Sequence, residues 1–157
     1  MATIRPPLND RMFAPYKIAA LVEVLAEQGI ALEDGLNGSG VTVGELQDAS
    51  VLTSVGQYAA VCRNVILLGC DAATPFKVGR KLHLSAYGMY GYALMSCLSL
   101  RDYFKLGVKY HSLATPTVAI EWTEYPDRMV WTFSDAFVSS PSRELREFII
   151  ESSTRSM

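Results

Sequence analysis

The 157-residue chain lacks most of what membrane proteins, nucleic-acid binders and common enzymes carry. It has no long apolar run. The longest, Val65 to Gly69 with Cys70, is far below the roughly 20 residues that cross a bilayer. The opening MATIRPPLNDRMF has no apolar h-region, so no secretory signal is read there. Positive charge is also short: 14 basic residues stand against 16 acidic ones, for a net charge of −2. That argues against a basic face for nucleic acid, and against an anionic membrane surface as partner. Three cysteines (Cys62, Cys70, Cys97) form neither CxxC nor a zinc spacing. Cys62 and Cys70 read as sharing one helix, where eight residues span about 12 Å, too far for a disulfide. Reduced, buried thiols are the expectation. The two histidines, His83 and His111, have no carboxylates or thiolates at a regular ligand spacing, so no metal is expected. Residues 35–40, GLNGSG, have the wrong glycine spacing for a dinucleotide loop and follow a helix rather than a strand. Walker A, GxSxG and HExxH are absent, and Asn37-Gly38-Ser39 matches a glycosylation sequon without a secretory context.

What is present is apolar and patterned. Half the residues are hydrophobic, with a mean hydropathy of +0.17. A chain this apolar can offset the entropy of ordering, and it suggests a cavity, a partner surface or both. Residues 1–14, interrupted by prolines, read as a flexible arm, and 15–157 as a single domain. Ile18, Leu21, Val22 and Leu25 form one stripe of a helix from Pro15 to Gln28, closed by Gly29. Residues 30–41 read as a Gly-rich linker with one helical turn. Thr42 with Glu45 and Ser54 with Gln57 are capping boxes. They start a short helix over Val43–Asp48 and a long one to about Leu68. Thr74-Pro75 reads as an N-cap with proline at the first helical position, opening a helix over 76–82.

Leu84 to Cys97 reads as a tight Gly88/Gly91 entry into a fully buried helix. Ser99 and Asp102 cap a further helix to about Leu113, with Leu100, Tyr103, Phe104, Gly107, Val108 and His111 on its face. After Pro116 the apolar period changes from 3.6 to 2. Val118, Ile120 and Trp122, then Met129, Trp131 and Phe133, alternate across Tyr125-Pro126-Asp127, which predicts an antiparallel hairpin over about 117–134. Ser140-Pro141 opens a last helix with Leu145, Phe148 and Ile149 inward. The fold class is therefore α+β: a mainly helical domain with a small antiparallel sheet packed on the helices.

Candidate chemistry concentrates in one place. Tyr87, Met89, Tyr90, Tyr92, Met95 and Cys97 crowd into eleven residues around two glycines. Trp122, Met129, Trp131 and Phe133 add a second aromatic set. Together they could wall an apolar small-molecule pocket with a few hydroxyl handles, or serve as ordinary core. Arg80 could hold a ligand carboxylate or phosphate, or pair with a surface acid. The candidate ligand-binding residues are Arg80, Tyr87, Tyr90, Tyr92, Trp122 and Trp131, with no catalytic residue. The carboxylates lie on polar helix faces, and none stands in the apolar context that acid/base work needs.

The stretch Gly79–Leu113 resembles the sensor domain of one branch of AraC-type transcription regulators, often labelled arabinose-binding-like. The residues that carry the resemblance are Gly79-Arg80, Leu82-His83, Ser85, Gly88, Gly91-Tyr92-Ala93 and Ser99-Leu100-Arg101. The helix from Pro15 to Gly29 and the segment from Gly40 to Gly69 also resemble the family, so the likeness runs from about residue 15 to 150. It implies a cytoplasmic bacterial sensor that binds a small effector, forms a homodimer and controls a C-terminal domain with two helix-turn-helix motifs. Such a domain would be the only route to DNA, and ending at Met157 the chain reads as a sensor fragment. The Tyr87–Cys97 segment does not resemble a dense sugar-binding polar array, so arabinose is not the expected effector. No cofactor is expected; a haem- or flavin-bearing sensor would reveal itself in a visible absorption spectrum. The alternatives are a structural dimerisation domain without effector, and a small cytosolic enzyme using a pocket tyrosine or His111.

Overall fold

The computed structural model describes residues 7–48, 50–135 and 142–154. Helix α1, Tyr16–Glu27, is its centre. Ile18, Ala20, Leu21, Val22, Val24 and Leu25 are all buried, which is more than one stripe, so the helix is covered on several sides. It stops in a Schellman turn: Ile30 N–H donates to Leu25 O, Gly29 N–H donates to Ala26 O, and Gly29 takes φ +79°.

The supposed linker contains α2, Leu32–Leu36, with Gly35 buried against α1. Both capping boxes form, opening α3 (Val43–Leu46) and α4 (Val55–Leu67). Asn64 donates to the carbonyls of Gly35 and Asn37, tying α2 onto α4. Helix α4 ends before Cys70, so Cys62 and Cys70 do not share a helix; a glycine at 69 with φ +69° breaks it first. All three cysteines are free thiols, with Cys62 buried and Cys70 and Cys97 only partly so. Upstream, Phe13 pairs with Thr53, and Gly56 N–H donates to Leu8 O. Residues 8–13 are thus hydrogen-bonded against the start of α4.

Helix α5 spans Thr74–Lys81 and starts earlier than the 76–82 expected. Thr74 is its first residue rather than its cap, and the Thr74 hydroxyl instead takes a hydrogen bond from Gln28 Nε2. A 3₁₀ turn at Leu84–Tyr87 leads into α6, Gly88–Met95. The expectation of a fully buried helix fails here. Only Gly91 and Leu94 are buried, while Met89 is 83% exposed and Tyr92 56%. The apolar residues of α6 go all the way round, and only the side bearing Tyr90 and Leu94, four apart, meets α7. Helix α7, Leu100–Tyr110, is capped by Ser99, which accepts from Asp102 N–H. Leu100 at its start is exposed, against the predicted inward face. A 3₁₀ turn, His111–Leu113, follows.

Strands β1 (Val118–Glu124) and β2 (Met129–Asp135) form the hairpin, in antiparallel register from Val118↔Asp135 to Glu124↔Met129. Val118 and Ile120 are buried, as the alternation predicts. Helix α8, Arg143–Thr154, buries Leu145, Phe148 and Ile149 and packs on α4, α5 and the hairpin. Its expected start at Ser140-Pro141 lies outside the described residues. The ribbon is therefore braced by helices rather than standing alone, as a two-stranded sheet in water must be. The architecture is a mainly helical α+β fold. Among the described residues no helix is long and apolar enough to cross a membrane.

Gly91 marks a close approach: a Cβ there would run into the Leu84 carbonyl oxygen, backbone that cannot step aside. Gly44, in α3, has open space around it. Gly91→Ala should lower the thermal midpoint by several degrees, while Gly44→Ala should leave it within about 2 °C, as measured by circular-dichroism melts.

Candidate functional site

The α6 pair Tyr90 and Leu94 faces Tyr103, Phe104 and Gly107 of α7 across a cleft of about 310 Å³. The hairpin closes one wall with Ile120, Trp131 and Phe133, and Thr154 at the end of α8 completes it. The periodicities explain the convergence. Residues 90 and 94, and 103 and 107, are one turn apart on their helices, and 131 and 133 share a strand face.

An aromatic cluster stiffens the hairpin wall. Phe104 sets its edge against Trp131, with centroids 4.8 Å apart and planes at 77°. Trp122 stacks on Trp131 across the ladder at 6.4 Å. Such pairs add about 0.5–1.5 kcal/mol each beyond area burial. The polar handles are hydroxyls. Tyr90 Oη donates to the Gly107 carbonyl at 3.0 Å, which pins α6 to α7 and leaves the phenol oxygen able to accept. Burial pushes the Tyr90 and Tyr103 phenols upward, so both stay neutral donors at any physiological pH. Among the described residues no charged side chain lines the cleft. Its size and lining match an ordinary small-molecule site for an uncharged, mostly apolar compound.

The structure distributes the six sequence-derived candidates unevenly. Tyr90 and Trp131 line the cleft, and Trp122 backs Trp131. Tyr87 sits behind Tyr90, edge-on at 6.3 Å, and also edge-on to Tyr16 at 5.3 Å. Tyr92 is on the outer side of α6, and Arg80 is exposed on α5; neither lines the cleft. Sequence reasoning placed Phe133 among the groups that could wall a pocket, but did not place Leu94, Tyr103, Phe104, Gly107, Ile120 or Thr154 in the site. Tyr103, Phe104 and Gly107 were legible as one helix face, and Phe133 as one strand face. What joins these faces is the tertiary packing of α6, α7 and the hairpin. Among the described residues no cluster of histidine, cysteine and carboxylate groups could hold a metal ion.

Residues 29–157 match the family described as the arabinose-binding domain of AraC transcription regulators, N-terminal. The chain belongs to that family. It is also 31% identical over 123 residues to uncharacterized HTH-type transcriptional regulators of Mycobacterium bovis and Mycobacterium tuberculosis. The match covers 78% of this chain and 36% of each relative, so the chain spans a little over a third of their length.

This AraC-type N-terminal domain holds a second, smaller cavity of about 30 Å³ at the start of α1. Lys17 and Thr117 line it, with Tyr16, Ser54 and Tyr58 among the other walls. The Lys17 ammonium lies 5.9 Å from the Tyr58 ring centroid and 5.8 Å from that of Tyr87, and donates to Thr115 Oγ1. Burial lowers its pKa to about 7. The Cys62 thiol nearby is pushed up to about 12, again by burial, so it stays protonated. His111 is buried as well. Desolvation first, and the Lys17 charge second, lower its pKa to about 4.

His111 is therefore neutral in the folded chain and protonates at about 6.5 once unfolded. Between those values the unfolded chain binds more protons, so stability falls as the pH drops from 6.5 towards 4. His111 alone contributes on the order of 3 kcal/mol to that loss. Urea unfolding across this range should show a markedly flatter slope in His111→Gln than in the parent chain.

Proposed function

We propose that this chain is the effector-sensing domain of a cytoplasmic AraC-type regulator, taking an uncharged, largely apolar small molecule into the α6–α7–hairpin cleft. The observation that carries the reading is the make-up of the cleft. Its walls come from chain segments far apart in sequence, so a bound molecule bridges α6, α7, the hairpin and the end of α8. Occupancy would favour one mutual arrangement of these elements over another, which is the differential affinity that sensing requires. In the longer protein that preference would pass to a C-terminal helix-turn-helix domain through the arrangement of a homodimer. Tyr90, Trp131, Phe104 and Tyr103 contact the effector in this reading, with Trp122 and Tyr87 supporting them from behind. The described lining offers neutral hydroxyls and, among the described residues, no carboxylate, imidazole or amine, which supports a binding site rather than an enzyme's acid/base centre.

A second reading is a dimerisation domain without an effector. It is favoured by Met89, Met95, Leu98 and Leu100, which are at least half exposed on and between α6 and α7.

The discriminating experiment is a thermal-shift screen of uncharged aromatic and alicyclic compounds, with tryptophan emission as a second readout. A cognate compound should raise the melting temperature and change the emission. Trp131→Ala and Phe104→Ala should abolish both effects, whereas Leu98→Glu should leave them intact. A shift that survives both aromatic truncations would place the compound elsewhere. Loss of self-association in Leu98→Glu, with no compound binding, would favour the second reading.

A further inference from the structure

The cavity at the start of α1 collects positive potential and unused hydrogen-bonding groups; among the described residues Lys17 meets the Tyr58 and Tyr87 rings and Thr115 Oγ1 but no carboxylate. Lys17 forms no ion pair there, and its one hydrogen bond, to Thr115 Oγ1, leaves two ammonium N–H groups. Thr117, 98% buried, lines the cavity, and its Oγ1 has no partner. His111 Nε2, close enough for its ring to feel the Lys17 charge, is also buried without a partner. Unpaired groups of this kind are rare in folded proteins, and each costs free energy unless something fills the gap. The cavity also lies against the first turn of α1, a twelve-residue helix with no side-chain cap and no acidic residue in that turn. A helix start left in this state favours negative charge.

We propose that this cavity is a binding site for a small monocarboxylate, held by the Lys17 ammonium and the Thr117 hydroxyl at the open end of α1. The ligand class follows from size and charge. A cavity of about 30 Å³ admits roughly two or three water-sized groups, the heavy-atom count of a formate ion. A sulfate or phosphate has five heavy atoms and would demand more donors than the site presents. The walls carry Phe13, Ile18, Val55 and Pro116, which suit the carbon side of a carboxylate. The titratable groups near Lys17 are Tyr16 beside it on α1, Tyr58 and Cys62 on α4, Tyr87 before α6 and His111 after α7. Tyr16, Tyr58 and Cys62 stay protonated because burial raises them, so Lys17 provides the charge when it holds its proton, below about pH 7.

The test uses sodium formate as the probe, with sodium chloride at matched ionic strength as reference. At pH 6 formate should raise the melting temperature, with a logarithmic dependence on concentration above its Kd, by roughly 3–6 °C at ten times its Kd. At pH 8.5 most of the rise should vanish. Lys17→Met should lose it at both pH values, and Thr117→Val should weaken it several-fold. Trp131→Ala, outside this cavity, should retain it, so the outcome is separate from that of the aromatic cleft. A second readout needs no variant. Formate that offsets the Lys17 charge should move the His111 NMR titration midpoint up from about 4. Equal melting curves in formate and chloride, the same formate effect in Lys17→Met, or an unmoved His111 midpoint would each overturn the proposal and leave the cavity to water.

Discussion

The burial of α1 on several sides is the constraint from which the rest follows. Leu21, Val24 and Leu25 have no exposed surface, and α2, α3, α4 and α5 pack around the helix. Fully burying each such side chain contributes about 1.5–3 kcal/mol, so this one helix supplies much of the drive to fold. A helix covered this way cannot keep both ends in solvent. Its C-terminal end turns out through Gly29, and its N-terminal end goes inward with Lys17 beside it. The small cavity beside Lys17 is thus a by-product of where the core had to be.

The aromatic cleft has the opposite origin. It lies where α6 and α7, held together by the Tyr90–Gly107 hydrogen bond, meet a hairpin that needs support on one face. Tryptophans at facing register positions stack on each other and stiffen that ribbon beside the cleft. The two cavities therefore differ in kind: one is broad, neutral and aromatic, the other narrow and cationic.

Much of this was legible in the sequence because it was local. The capping boxes at Thr42 and Ser54, the Ser99 cap, the end of α1 at Gly29 and the hairpin each follow from residues within a few positions of one another. The site was only half legible. Trp131 and Tyr90 announced themselves as aromatic excess, but α6 has apolar residues on every side, so no periodicity could tell Tyr90, turned inward, from Tyr92, turned outward. Lys17 gave no signal, since lysine is ordinarily a surface residue and only tertiary packing places tyrosine rings over it. The comparison with AraC-type domains fixes the family, and the geometry adds what a family label omits: the sizes and charge of the spaces within.

Gly107 has a consequence for how such a domain diversifies. It sits mid-helix without a left-handed backbone to justify a glycine, where alanine would make the helix firmer by about 1 kcal/mol. A methyl group added there would meet Leu94 and the Tyr90 hydroxyl only at ordinary contact distance. This position therefore acts as an adjustable floor: enlarging its side chain shrinks the chamber while the surrounding scaffold keeps its shape, so preference for larger or smaller guests can drift through a single codon.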